Sequence, residues 1–314
     1  MKLKLPLILV ALLVLPFHAI PASKASPTPV NSVPTTVDEL CRELRGATSQ
    51  LKWEIDPCTA GVKWRVGGHS VEGRPLMVAE FGDPQATNTT LILSTVHGDE
   101  ITPLYVGFEL VRWLNDRKDK LGKTHVIVAP LVNPDGFFRK PKRTRVNARG
   151  VDINRNFATN DWEKDALAAW KRKFRSDPRR FPGSAARSEP ETAFQEELIR
   201  NFKPQKILSI HSPLNFMDYD GPTNLALANF PKEYVRECLK LRARLKAISS
   251  GFFPGSLGNF AGRELGIPTL TLELPTANPK KAEEYWKKFN TGIQTMIDFT
   301  VPAVVGAVIK PSAS

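Results

Sequence analysis

Four short apolar runs, TLILSTV (90–96), HVIVAPLV (125–132), KILSI (206–210) and TLTLEL (269–274), are separated by segments of helical periodicity. That alternation constrains the chain more than any other feature, because short apolar strands interleaved with amphipathic helices pack as an α/β layer structure. The helical patterns cover 103–116, about 190–201, 231–249 and 280–299. Ahead of them, 63–81 reads as a hairpin turning at Gly67-Gly68. No internal repeat is visible, and a single catalytic domain is expected over 39–301, followed by a loose tail at 302–314.

The N-terminus has the three parts of a secretory signal. Lys2 and Lys4 precede an apolar run of 13 residues, Leu5–Phe17, and Ser23-Lys24-Ala25 offers small residues for cleavage. Residues 1–25 are therefore expected to be a signal peptide, and 26–38 a flexible leader rich in Pro, Ser and Thr. The apolar run is too short to span a bilayer comfortably, so no stable membrane span is expected after cleavage. An exported chain meets an oxidising compartment. Of three cysteines, Cys41 and Cys58 flank a 16-residue segment that a disulfide would staple, while Cys238 lies in a helical pattern and reads as a buried small hydrophobe. Without C-x-x-C spacing there is no thiolate zinc site, so any metal must be held by His and carboxylate.

With 41% hydrophobic and 24% charged residues, collagen, low-complexity disorder and a multi-span membrane protein are excluded. The formal charge of +12 favours anionic partners. No nucleic-acid-binding motif accompanies it, and nucleic acid is not an expected partner.

In open α/β sheets, ligands gather at the carboxyl ends of strands. His97-Gly98-Asp99-Glu100 follows the first run, Asn133-Pro134-Asp135-Gly136 the second and His211 the third, and Glu273 sits in the end of the fourth. Of five histidines, only His97 and His211 occupy strand ends. Two imidazoles and a carboxylate suit a catalytic zinc, because three protein ligands leave one position open. NPDG reads as a sharp turn in which Gly136 takes a positive φ, and SEPET (188–192) as a capping box of Ser188 and Glu191. Glu189 is a candidate brace for an active-site arginine, and Asp152 a candidate partner that orients a ligand histidine.

The ordered motifs HGDE (97–100), NPDG (133–136), RVNARGVDINRNF (145–157), SEPET (188–192), SIH (209–211) and TLELP (271–275) resemble those of the zinc carboxypeptidase family. The resemblance spans about 60–290 and implies one domain with a mixed central sheet flanked by helices. It also implies one Zn²⁺ per chain, held by His97, Glu100 and His211, with Glu273 as the general base and acid. Asn154 and Arg155 match the pair that grips a substrate's terminal carboxylate. The arginine that stabilises the oxyanion is placed at Arg145, with Arg143 two residues away as the alternative.

Within the family, IHSPLNFMDYDGP (210–222) and FPGSLGNF (253–260) resemble the branch that trims bacterial cell-wall peptides. Pancreatic-type members carry a mobile tyrosine before the catalytic glutamate, and AISSGFFPGS (247–256) has none. Asp218-Tyr219-Asp220 reads equally as a contact for an amino group or as a turn. The expectation is a periplasmic or secreted peptidase of muropeptides that cuts the γ-D-glutamyl–diaminopimelate bond. The alternatives are a secreted carboxypeptidase of protein C-termini and a non-catalytic cell-wall binding module.

Overall fold

The computed structural model describes residues 33–221, 230–240, 244–245 and 253–301. The expected signal peptide, most of the leader, the tail after 301 and the side chain of Cys238 lie outside these residues.

Helix α1 (Val37–Gln50) begins at a reciprocal cap: Thr36 Oγ1 accepts from Glu39 N, and the Glu39 carboxylate accepts from Thr36 N at 3.1 Å. Its buried stripe, Leu40, Cys41 and Leu44, packs with Met77, Phe108 and Phe137. The Cys41–Cys58 disulfide, with Cα atoms 5.8 Å apart, ties the helix to the chain ahead of the sheet.

Among the described residues eight strands follow: β1 (Trp64–His69), β2 (Pro75–Gly82), β3 (Asn88–Ser94), β4 (Thr124–Ala129), β5 (Lys206–His211), β6 (Phe216–Asp220), β7 (Arg244–Leu245) and β8 (Thr269–Glu273). They form one mixed sheet in the order β1-β2-β4-β3-β5-β8-β6-β7, with β4, β3, β5 and β8 parallel at its centre. Alternation along these strands sorts side chains to two faces. Ile92, Val126, Val128, Leu208 and Ile210 join the core under α2 (Ile101–Asn115) and α7 (Ala282–Asp298). Leu91, Leu93, Ile127 and Ile207 face the opposite core, with Phe194, Leu198 and Ile199 of α5 (Pro190–Phe202). Each such buried side chain contributes about 1.5–3 kcal/mol. Shorter helices α3 (Pro134–Phe138), α4 (Leu167–Arg172) and α6 (Lys232–Lys240) lie between strands.

Several local expectations are corrected. Gly67-Gly68 is not the hairpin turn but part of β1, where the register shifts; the chain reverses at Ser70–Arg74, with Ser70 N donating to Arg74 O. At Gly67 a Cβ would come 2.5 Å from the Phe194 ring, so any larger residue there must displace that side chain. NPDG opens α3, and Gly136 has no positive φ; its Cβ would meet Thr144 O at 2.7 Å and Val146 O at 2.8 Å. Residues 218–220 are the end of β6 and not a turn. Of the helix expected over 231–249, Lys232–Lys240 is helical, whereas Arg244–Leu245 is a strand that pairs with β6; the positions between and after them lie outside the described residues.

Candidate active site

The strand after β3 returns on one side as β4, while β5 lies on the other, so the order reverses at β3/β5 and leaves a crevice at their carboxyl ends. A cleft of about 720 Å³ opens there, lined by His97, Glu100, His211 and Glu273 among others. His97 and Glu100 come from the turn between β3 and α2, and His211 ends β5 opposite Glu273 of β8 in register. Gly98 permits this turn: a Cβ would collide with Gly136 C at 2.1 Å and Phe137 N at 2.2 Å. The NPDG segment is thus the backbone wall against which the HGDE turn packs.

His97 Nδ1 lies 2.7 Å from Glu100 Oε1 and 3.2 Å from His211 Nδ1, and His211 Nδ1 lies 3.0 Å from Glu100 Oε2. Two imidazole nitrogens and a carboxylate therefore face one point. A tetrahedral zinc with bonds of about 2.0–2.1 Å spaces its ligand atoms by about 3.3 Å, so the trio fits the ion. The outer nitrogen of each ring is also held: His97 Nε2 by Asp152 Oδ1 at 3.2 Å, His211 Nε2 by Ser209 Oγ at 2.9 Å. Such partners fix which nitrogen faces the metal. Burial raises the Asp152 carboxyl, but Arg145 and His97 outweigh it and hold the group well below the ordinary carboxylate range.

Glu273 lies in the same cleft, with Oε2 accepting from Leu214 N at 3.3 Å. Burial, with the Glu100 charge, raises its carboxyl against the opposing pull of His211 and the Leu214 N–H. A carboxylate raised in this way is a better proton acceptor than a solvated one.

Arg145 reaches the metal trio. Its Nε donates to Asp152 Oδ2 at 3.0 Å, and Nη1 lies 3.3 Å from Glu100 Oε1. Arg143, the alternative, lies elsewhere: its guanidinium stacks 4.6 Å above Phe137, and it is not among the residues lining the cleft. Arg155 is buried, with Nη1 donating to Asn154 O and its guanidinium 4.5 Å from the Phe253 ring centroid. Burial, with the neighbouring Arg145 and Arg180 charges, brings it down to about 10. Asn154 Oδ1 accepts from Leu257 N at 2.8 Å and so ties this corner to the turn after Phe253.

SEPET does not cap its helix as expected. Glu189 occupies the N-cap position without a side-chain cap bond, and Ser188 Oγ donates to Glu189 Oε1. Nor does Glu189 brace a cleft arginine; with Glu191 it accepts from the Asn147 amide at 2.7 and 2.9 Å, and it lies 3.6 Å from Arg149. The loop that carries Arg145 and Asp152 is thereby pinned to α5. Sequence reasoning missed the cleft residues Lys173, Arg179 and Arg180, for which KRKFRSDPRR (171–180) offered only a high density of charge.

Comparison with known proteins agrees with this geometry. The family model for zinc carboxypeptidases matches residues 60–288. Murein peptide amidase A of Escherichia coli K12 is 30% identical over 221 residues, covering 69% of this chain and 83% of that protein. The Vibrio campbellii protein of the same name is 30% identical over 212 residues, covering 66% and 77%. Among solved structures, murein-tripeptide amidase from E. coli O157 superposes with a TM-score of 0.57 at 24% identity, over 79% of this chain and 96% of the other. Carboxypeptidase A from Helicoverpa armigera gives 0.62 at 19% identity, over 84% and 72%. With a matching family model over most of its length and a donor set suited to zinc, the chain belongs to the zinc carboxypeptidase family.

Proposed function

We propose that the chain is an exported zinc peptidase that hydrolyses cell-wall peptides next to a free terminal carboxylate, with the γ-D-glutamyl–diaminopimelate bond as its target. The observation that carries this reading is the sharing of one cleft by the metal trio, Glu273 and the buried Arg155. Relatives matched over about two thirds of the chain are murein peptide amidases, which supports a cell-wall substrate. Export is supported by the N-terminal pattern and by the Cys41–Cys58 disulfide, a bond that persists in oxidising compartments.

Zinc held by His97, Glu100 and His211 supplies Lewis acidity in the cleft. Arg155 takes the terminal carboxylate as a planar fork, and its buried setting strengthens the pair. Glu273 accepts the proton of the attacking water and returns it to the leaving amine. Arg145, fixed by Asp152, presents its remaining donors toward the developing oxyanion.

The test compares a γ-D-glutamyl–diaminopimelyl muropeptide with a benzoylated L-dipeptide, products being read by mass spectrometry. Faster cleavage of the muropeptide is expected. Faster cleavage of the dipeptide makes the protein an ordinary secreted carboxypeptidase, and cleavage of neither makes it a binding module.

A further inference from the structure

The mouth of the cleft carries charge that this mechanism does not use. Between Phe174 and Asp177 the chain reverses through two consecutive left-handed residues, Arg175 (φ 52°) and Ser176 (φ 57°). Trp170 pins the reversal, donating from Nε1 to Asp177 O at 2.8 Å and meeting the Phe181 ring edge-on at 4.9 Å. Lys173 and Arg180 are thereby turned onto the cleft that holds Arg155.

Three cations then share two rings. Arg155 Cζ and Lys173 Nζ lie 4.5 and 4.4 Å from the centroid of Phe253, and Arg180 Cζ lies 4.8 Å from that of Phe174. The rings themselves are 5.7 Å apart. Ring faces hold cationic heads in place without neutralising them. Acids do little more: Asp177 is 3.7 Å from Arg180, and Lys173 has no carboxylate partner among the described residues. The buried Nε of Arg155 has no hydrogen-bond acceptor. One substrate carboxylate satisfies Arg155 and leaves two cations at the cleft mouth able to meet a second: the exposed Lys173, and Arg180, whose acid Asp177 stands 3.7 Å away.

We propose that Lys173 and Arg180 form a second carboxylate subsite beside Arg155, selecting a C-terminal residue that bears two carboxylates. This rests on the reading of Arg155 as the holder of the terminal carboxylate. Diaminopimelate has that chemistry; lysine offers the same amine on a chain of similar length but lacks the second carboxylate.

The test uses four peptides, with γ-D-glutamyl or benzoylglycyl as the acyl part and diaminopimelate or lysine at the C-terminus. The zinc-loaded wild type should prefer diaminopimelate over lysine by about tenfold or more in kcat/KM for either acyl part, as a charge-assisted contact implies. In the double variant Lys173→Met, Arg180→Gln that preference should collapse to within about threefold, and in Lys173→Glu, Arg180→Glu it should invert through like-charge repulsion. Because the readout is a ratio, a general loss of activity cannot mimic it. A wild type without the preference, or variants that keep it, overturn the subsite. If benzoylglycyl peptides are cut faster than γ-D-glutamyl ones, the cell-wall reading fails, while the preference within each pair still decides the subsite.

Discussion

In the proposed mechanism a single carboxylate at the end of β8, Glu273, carries the proton chemistry. Glu273→Gln keeps the shape of the side chain but cannot accept the water's proton, so turnover should fall by on the order of 10²-fold or more while zinc stays near one per chain by elemental analysis. Retained turnover would place the base elsewhere. Arg155→Lys replaces a fork with a point charge. With the peptide's terminal carboxylate free, kcat/KM should fall by a factor between about 30 and several thousand, and amidating that carboxylate should cause a loss of the same order in the wild type. A variant as fast as the wild type would move the terminal carboxylate away from Arg155. Both positions were legible in the sequence, because TLELP and NRN are short and local, and the structure brings the two residues to one cleft. The placement of Arg145 against Arg143 was not: the two are separated by one residue, and only the path of the loop brings one to Glu100 and the other onto Phe137.

At the scale of elements, the turn after β3 and helix α3 depend on each other. Gly98→Ala drives a Cβ into the backbone of Gly136 and Phe137, which cannot swing aside as a side chain can. The variant should lose at least about 1–3 kcal/mol of stability by denaturant titration and bind zinc more weakly, since His97 and Glu100 flank the displaced residue. Helix α5 makes a different prediction. Burial, with the Asp135 charge, pushes Glu191 up to about 7 from its ordinary 4.5, against the opposing Asn147 and Val71 donors. Folding therefore takes up a proton between those values. The favourable contribution is full below about 4.5 and is lost as pH rises through 7, an effect on the order of a few kcal/mol. Thermal melts should show this downward slope in the wild type and not in Glu191→Gln; identical slopes would remove Glu191 from the account. The sequence placed Glu191 in a helix cap, because S-x-x-E spacing is a local signal. Its true partners, Asn147 and Val71, are brought to it by other elements.

Across the whole molecule, the Cys41–Cys58 bond attaches α1 to the chain that leads into β1, closing a loop of 17 residues. A Cys41→Ser, Cys58→Ser variant should be less stable by about 3 kcal/mol and melt several degrees lower, whereas reductant should not lower the melting point of that variant further. An unchanged melting point would make the bond incidental.

By itself the sequence determined the α/β class, the strand ends that carry His97, His211 and Glu273, and the family. Period-two and helical patterns, like motif spacing, are properties of neighbours in the chain, and strand termini are where such a sheet exposes its chemistry. Only the tertiary structure decided why Gly98 and Gly136 must be glycines, which arginine reaches Glu100, and that Lys173 and Arg180 share a cleft with Arg155. Those facts depend on close approach between segments far apart in sequence. Steric exclusion and the pairing of buried charge act across space, and no local pattern of residues encodes them.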